Sequence, residues 1–258
     1  MSIDGLMNRF DREVEKMGVR VKDADQMKVM DNVFDEVTLL ALYRLVHKKH
    51  ISVIGGSIST GKEANVFYGE KDGRPIAIKI YRIRSANFKS MSEYITGDPR
   101  FASVRGTKKE MVFTWTRKEY ANIQRAREAG VPVPEPLTFD RNILLMEFLG
   151  WGETPYPQLR SAEPEDPEDV YKFIVRMMKI LYREARLVHG DLSEFNILYG
   201  DRPYIIDLGQ AVTPDHPRAH SFLARDIKNI TRFFSRFCDV REERDVFIDI
   251  VGTERLAP

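Results

Sequence analysis

An α+β fold in two lobes is the class this sequence predicts, on three observations. Short runs of β-branched and aromatic residues crowd positions 51–81, helical periodicity dominates after residue 167, and strands come first instead of alternating with helices. With 43% hydrophobic and 31% charged residues in 258, the chain is neither fibrous nor disordered and can bury a core. Forty basic against 39 acidic residues leave no overall field for nucleic acid or a membrane surface. The single Cys238 excludes an internal disulfide. No apolar run reaches the roughly 20 residues of a membrane helix, and the start has no secretory pattern, so the expected location is the cytoplasm, with no membrane partner.

Residues 1–48 read as an N-terminal helical extension, clearest where Val33, Phe34, Val37, Leu40, Ala41 and Leu45 recur at spacings of three and four. Such a stripe predicts packing on the main domain and not a DNA-reading helix. The first lobe follows over 49–147. Ile51-Ser-Val-Ile54, Ala64-Asn-Val-Phe-Tyr68 and Pro75-Ile-Ala-Ile-Lys-Ile-Tyr81 predict an antiparallel meander, with a turn at Lys71-Asp-Gly73. Residues 82–107 carry Arg82, Arg84, Lys89, Arg100 and Arg105 among serines, and read as a long, partly mobile basic surface insertion. A helix is expected over 108–129, ended by Gly130 and three prolines, then a strand through Asn142-Ile-Leu-Leu-Met146. The second lobe, 148–258, opens its first helix at an Asp166 cap with Pro167 at the first helical position. Apart from a hairpin-like segment at 186–212, it is mainly helical.

Ser59-Thr-Gly-Lys-Glu-Ala-Asn-Val66 lies between two predicted strands. It keeps Gly61 and Val66 of the kinase loop G-x-G-x-x-G-x-V, with small Ser59 and Ala64 at other glycine positions. Thr60, Lys62 and Glu63 complete the candidate phosphate loop. Gly56 to Lys62 also matches G-x-x-x-x-G-K, but Glu63 replaces the Ser or Thr which that loop needs, and strand follows where a helix should. A plain strand turn fits equally well. Lys79, ending an apolar strand, is a candidate phosphate-binding cation, or else a snorkelling edge residue. Glu119 falls within the stripe of Val112, Trp115, Ile123 and Ala126, where a carboxylate needs a cation.

His189-Gly-Asp-Leu-Ser-Glu-Phe-Asn196 followed by Ile205-Ile-Asp-Leu-Gly209 is the strongest signal. Asp191 and Asn196 have the spacing of a kinase catalytic loop, and Asp207 stands where the Asp of Asp-Phe-Gly is expected. One carboxylate can accept a hydroxyl proton, while an amide oxygen and a second carboxylate hold magnesium on ATP phosphates. Met146, Glu147 and Phe148 begin the interlobe segment, a candidate adenine-reading hinge or an ordinary linker. Only 49 residues follow Gly209, with no Ala-Pro-Glu. The expectation is therefore a bilobal protein-kinase-like fold with a truncated C-lobe and an unusual mode of peptide docking. Asp226, on the next predicted helix with Phe222, Leu223, Ile230, Phe233, Phe234 and Phe237, either holds the catalytic-loop backbone or pairs with Arg225 or Lys228.

The loop Ser59-Thr-Gly-Lys-Glu-Ala64, Gly190, Asp207-Leu-Gly-Gln210 and His216-Pro-Arg-Ala-His-Ser-Phe-Leu-Ala-Arg-Asp226 closely resemble the RIO family of atypical protein kinases, over about residues 50–240. The loop and His-Gly-Asp-Leu-Ser-Glu forms resemble its first subfamily, which has no winged-helix domain. The resemblance implies a Lys79–Glu119 ion pair on ATP, Asp191 as catalytic aspartate, and Asn196 with Asp207 on Mg²⁺ or Mn²⁺. It implies serine-directed phosphorylation, including autophosphorylation, an ATPase mode with transient phosphate on Asp207, and a pre-ribosomal small-subunit partner. Ser85, Ser90, Ser92 and Ser103 are candidate self-phosphorylation sites, and insertion 82–107 a candidate contact to partner or RNA phosphates. Two competing readings are a small-molecule phosphotransferase of the aminoglycoside or choline type, and a nucleotide-gated ribosome assembly factor.

Overall fold

The computed structural model describes residues 20–21, 35–83, 88–101 and 107–252. Two compact units emerge. The first takes in residues up to 88, 105–120 and 136–155; the second takes in 89–104, 121–135 and 156 onward.

A six-stranded sheet dominates the first unit, in the order β1-β2-β3-β4-β6-β5. Its strands are β1 (Arg20–Val21), β2 (Val53–Thr60), β3 (Ala64–Lys71), β4 (Arg74–Tyr81), β5 (Pro136–Asp140) and β6 (Ile143–Glu147). The β2-β3-β4 meander and β6 are antiparallel, as the sequence pattern required; the two-residue β1 adds to β2 in parallel. Asp72-Gly73 makes the two-residue turn that pairs Lys71 with Arg74. Helix α1 (Glu36–His47) is capped by Asp35, whose carboxylate accepts from the backbone of Thr38 at 2.9 Å. It buries Leu39, Ala41, Leu42, Leu45 and Val46 in one core with Ile54, Phe67, Ile76, Ile78, Ile80, Ile143 and Leu145. Arg44 clamps Asp140 of β5 through Nε and Nη2 at 2.7 and 2.5 Å. The end of the expected extension is therefore part of the first unit's core. Leu40 is 42% exposed, contrary to its place in the expected stripe, because the buried face runs through 38/39, 41/42 and 45/46. Val33 and Phe34 lie outside the described residues.

Helix α2 (Phe88–Ile95) and the turn Pro99–Phe101 correct the reading of the basic insertion. Met91, Tyr94, Ile95, Asp98 and Phe101 are buried, and the segment groups with the second unit. The apolar residues recur at helical spacing; charge and serine content masked that pattern. Arg100 commits three of its N–H donors to Asp98 and Asn122, so little of it is left for outside phosphates. Ser85 and Ser103 lie outside the described residues, and Ser92 contacts the Thr96 hydroxyl at 3.3 Å.

Helix α3 (Lys108–Glu128) starts with a capping box: Glu110 accepts from the backbone of Thr107 at 2.7 Å while Thr107 Oγ1 faces the backbone N–H of Glu110. A short hairpin, β7 (Gly150–Trp151) with β8 (Thr154–Pro155), follows β6 in the first unit. The second unit also holds α4 (Pro167–Arg183), capped by Asp166 with Pro167 at its first position, the antiparallel pair β9 (Ile197–Tyr199) and β10 (Pro203–Ile205), α5 (Ala219–Phe234) and α6 (Glu243–Val251). Phe237, expected in the α5 stripe, lies beyond the helix and is 58% exposed. Among the described residues, no helix is long and apolar enough to cross a membrane.

Candidate active site

Within the first unit, Gly61-Lys62-Glu63 connects β2 to β3, with Ser59 opposite Val66 and Thr60 opposite Asn65. The Gly61 N–H bonds the Ala64 carbonyl at 2.9 Å. A Cβ at Gly61 would stand 2.8 Å from that oxygen, which is why only glycine fits this turn. Strand follows directly at Ala64, so the G-x-x-x-x-G-K alternative, which requires a helix there, is set aside. Ser59, Thr60, Gly61 and Lys62 are exposed, while Glu63, Ala64 and Val66 are half-buried. The backbone N–H of Arg82 holds the Glu63 carbonyl at 2.8 Å and its side chain holds Asn65 Oδ1, tying the loop to the end of β4.

Val66 pairs with Lys79 on β4, which pairs in turn with Leu144 on β6. Lys79 is no snorkelling edge residue: it is buried, and its Nζ lies 2.7 Å from Oε1 of Glu119, which is fully buried on α3. The Tyr81 hydroxyl donates to the other Glu119 oxygen, and the Lys79 ammonium lies 5.1 Å from the Tyr81 ring centroid. Tyr81 was not singled out from sequence, although strand alternation puts it on the Lys79 side two residues on. Met146 pairs with Ala77 near the end of β6, Glu147 is exposed, and the Phe148 ring packs edge-on against Tyr68 at 5.2 Å. Whatever Phe148 offers a ligand is therefore backbone.

The second unit places Asp191, Asn196 and Asp207 by backbone register. Ile197 pairs with Ile205, and the Ile206 N–H bonds the Asn196 carbonyl at 3.0 Å, so residues just before β9 and just after β10 meet. Val188 and Val212 exchange backbone bonds of 2.8 and 2.9 Å, closing the other end of both loops. Asn196 donates its Nδ2 to the Asp191 carbonyl at 2.8 Å and, more loosely, to Asp191 Oδ2 at 3.4 Å. Its amide oxygen is thereby left as the acceptor that can face a cation. Asp207 holds φ 66°, ψ 53°, the left-handed region, unusual for a residue other than glycine. Burial pushes the Asp191 carboxyl above the usual range; His189 and Arg225 oppose the rise and Asp207 adds to it.

Around these groups lies scaffolding, of which the sequence pattern pointed only to Asp226. Buried His189 accepts the Asp191 N–H at Nδ1 and donates from Nε2 to the Ile206 carbonyl at 2.9 Å, linking the two loops. Asn122, fully buried on α3, donates to the carbonyls of Leu208 and Ala211 at 2.9 and 3.0 Å. It stands three residues beyond Glu119, a polar interruption of the apolar stripe that was open to reading. Asp226 takes the first of its two expected roles. It is buried and accepts from the backbone of Gly190 at 2.7 Å and of Leu192 at 2.9 Å, while Arg225 bonds the Gly190 carbonyl and the Tyr94 hydroxyl. Gly190 itself has φ +83°, and an added Cβ would lie 3.3 Å from the Gln210 carbonyl. Gly190→Ala is expected to cost about 1–2 kcal/mol, read as a lower denaturant midpoint at unchanged slope.

Comparison with known proteins gives the family and the fold. A model of the RIO domain matches residues 65–246. The RIO-type serine/threonine-protein kinase Rio1 of Haloferax volcanii is 46% identical over 235 residues, covering 90% of this chain and 81% of the relative. Rio1 of Methanocaldococcus jannaschii is 39% identical, with 95% and 86% covered. Human RIO1 is 37% identical over 90% of this chain, which spans 43% of that longer protein. Among solved structures, the ADP/Mg²⁺-phosphoaspartate complex of Rio2 kinase from Chaetomium thermophilum superposes with TM-score 0.64 at 26% identity, covering 84% of this chain and 67% of that one. By sequence, fold and the arrangement of these residues, the chain belongs to the RIO family of atypical serine/threonine protein kinases, within the Rio1 subfamily.

Proposed function

We propose that this kinase uses ATP with Mg²⁺, and that Asp191 is the base for transfer to a serine hydroxyl. The observation that carries the reading is the Asp191–Asn196–Asp207 constellation, with the Asn196 nitrogen tied back so that oxygen is what it presents. The donor set fits the metal. One amide oxygen and one carboxylate are too few for a full cage, and among the described residues no cluster of three or more His, Cys, Asp or Glu supplies one. That is the incomplete, all-oxygen set magnesium accepts when phosphates and water supply the rest. Bound there, Mg²⁺ would neutralise charge on the phosphates.

The roles of the protein's own groups follow. Lys79, fixed by Glu119 and Tyr81, supplies a cation for the α- and β-phosphates. The exposed edge of the Gly61 loop, with Ser59 to Ala64 and Val66, lies along the nucleotide. Backbone groups of Met146, Glu147 and Phe148 receive adenine. Asp191, its proton affinity raised by burial, takes the hydroxyl proton as the phosphoryl group leaves. A second mode, transfer to the Asp207 carboxylate followed by hydrolysis, is favoured by the phosphoaspartate in the Rio2 neighbour. Autophosphorylation on serine and a part in small ribosomal subunit maturation rest on the family likeness, and a cytoplasmic location on the sequence pattern alone.

Incubation with γ-labelled ATP and Mg²⁺, followed by location of the label, tests this. Acid-stable label on serine supports the kinase reading, and hydroxylamine-labile label on Asp207 supports the ATPase mode. Label passed only to small hydroxyl compounds would refute both.

A further inference from the structure

Three guanidinium groups of the second unit gather where acceptors are scarce. Arg100 gives Nε and Nη2 to Asp98 at 2.9 and 2.7 Å, and Nη1 to Asn122 Oδ1 at 2.8 Å. Arg125 leaves α3 one turn beyond Asn122, from the same face. Arg186 arrives from the other side. It stands two residues before Val188, whose partner Val212 follows Ala211, the residue whose carbonyl Asn122 holds.

Two of the three have donors to spare. Among the described residues the Arg125 side chain makes no hydrogen bond or ion pair. Among the described residues Arg186 has only a 3.5 Å contact to the exposed carboxylate of Asp215, and its buried Nη1 meets no acceptor. Burial lowers the proton affinity of Arg125, the charges of Arg100 and Arg186 lower it further, and Asp98 and the exposed Glu128 oppose them. An arginine does not escape by deprotonating, so unspent donors in a half-buried cluster are costly until an anion meets them.

We propose that Arg125 and Arg186, with Arg100 at their edge, form a binding site for a phosphate monoester. A tetrahedral dianion offers enough oxygens for two guanidinium forks at once, and both oxygens of Asp98 are already engaged by Arg100. None of the three arginines is among the residues assigned above to the nucleotide or the metal. Arg100 belongs both to it and to the Asn122 clamp on Leu208 and Ala211, so an anion here bears on the backbone that follows Asp207.

Thermal unfolding of the full chain in chloride buffer, with inorganic phosphate or phosphoserine titrated at constant ionic strength, tests the site. The wild type is expected to rise in midpoint saturably. Arg125→Gln, which removes no side-chain bond from the unliganded protein and relieves repulsion by Arg100 and Arg186, should keep or raise its midpoint in chloride, and its affinity for phosphate should fall at least tenfold. Arg186→Lys, which keeps charge but loses the fork, should fall between the two. Stabilisation by both probes supports a monoester borne on serine as the ligand; stabilisation by phosphate alone would overturn the monoester and leave a site for the free anion. No saturable rise in the wild type, or an equal rise in Arg125→Gln, would overturn the assignment.

Discussion

Asp191→Ala is expected to lower phosphoryl transfer by about 10²- to 10⁴-fold, the contribution of a positioned general base, with ADP affinity changed little. The side chain contributes little to the fold, since its bonds to Asn196 and Gln210 are long, at 3.4 and 3.3 Å. Asp191→Ala should therefore match the wild type in circular dichroism and unfolding midpoint while single-turnover transfer collapses. In the wild type the base form is lost as pH falls through the raised Asp191 value, so transfer should drop on the acid side of neutrality earlier than an ordinary aspartate would allow.

Removal of Asp226 should instead act on folding. Asp226→Ala strands the buried N–H groups of Gly190 and Leu192, each worth about 1–3 kcal/mol when left without an acceptor. The loss is expected to total several kcal/mol and to appear as an early unfolding transition together with loss of Asp191-dependent transfer. Burial also pushes the Asp226 carboxyl up to about 7, against the pull of those two N–H groups. Because the folded value lies above the unfolded one, the native state binds the extra proton. This contribution to stability is complete below the ordinary aspartate range and disappears as pH rises through about 7. Its size is about 4 kcal/mol to order of magnitude. Denaturant titrations from pH 5 to 8 should show stability falling in the wild type, and Asp226→Asn should flatten that slope.

The chemistry was legible in the sequence where residue type and spacing are both dictated by the ligand. Asp191, Asn196 and Asp207 could be read as candidates because the proton transfer and metal binding proposed for them allow few substitutes, and Glu119 because a carboxylate inside an apolar stripe demands a cation. Runs of β-branched and aromatic residues and the Asp-Gly turn likewise predicted the meander. What stayed hidden depends on long-range packing. His189 and Asn122 act by satisfying backbone groups 17 and 86 residues away, a requirement that no local pattern records. Tyr81 was readable, since its place two residues from Lys79 follows from strand period alone. Residues 88–101 were misread because basic charge and serines outweighed four apolar positions at helical spacing.

The most direct measurement is the effect of Mg²⁺ on ADP affinity in the wild type and in Asn196→Ala/Asp207→Ala. Magnesium should tighten ADP binding in the wild type at least tenfold and leave the double variant unmoved, while metal-free ADP binds both alike. Equal tightening in the two proteins would show that the ion is held elsewhere and contradict the assignment of these oxygens.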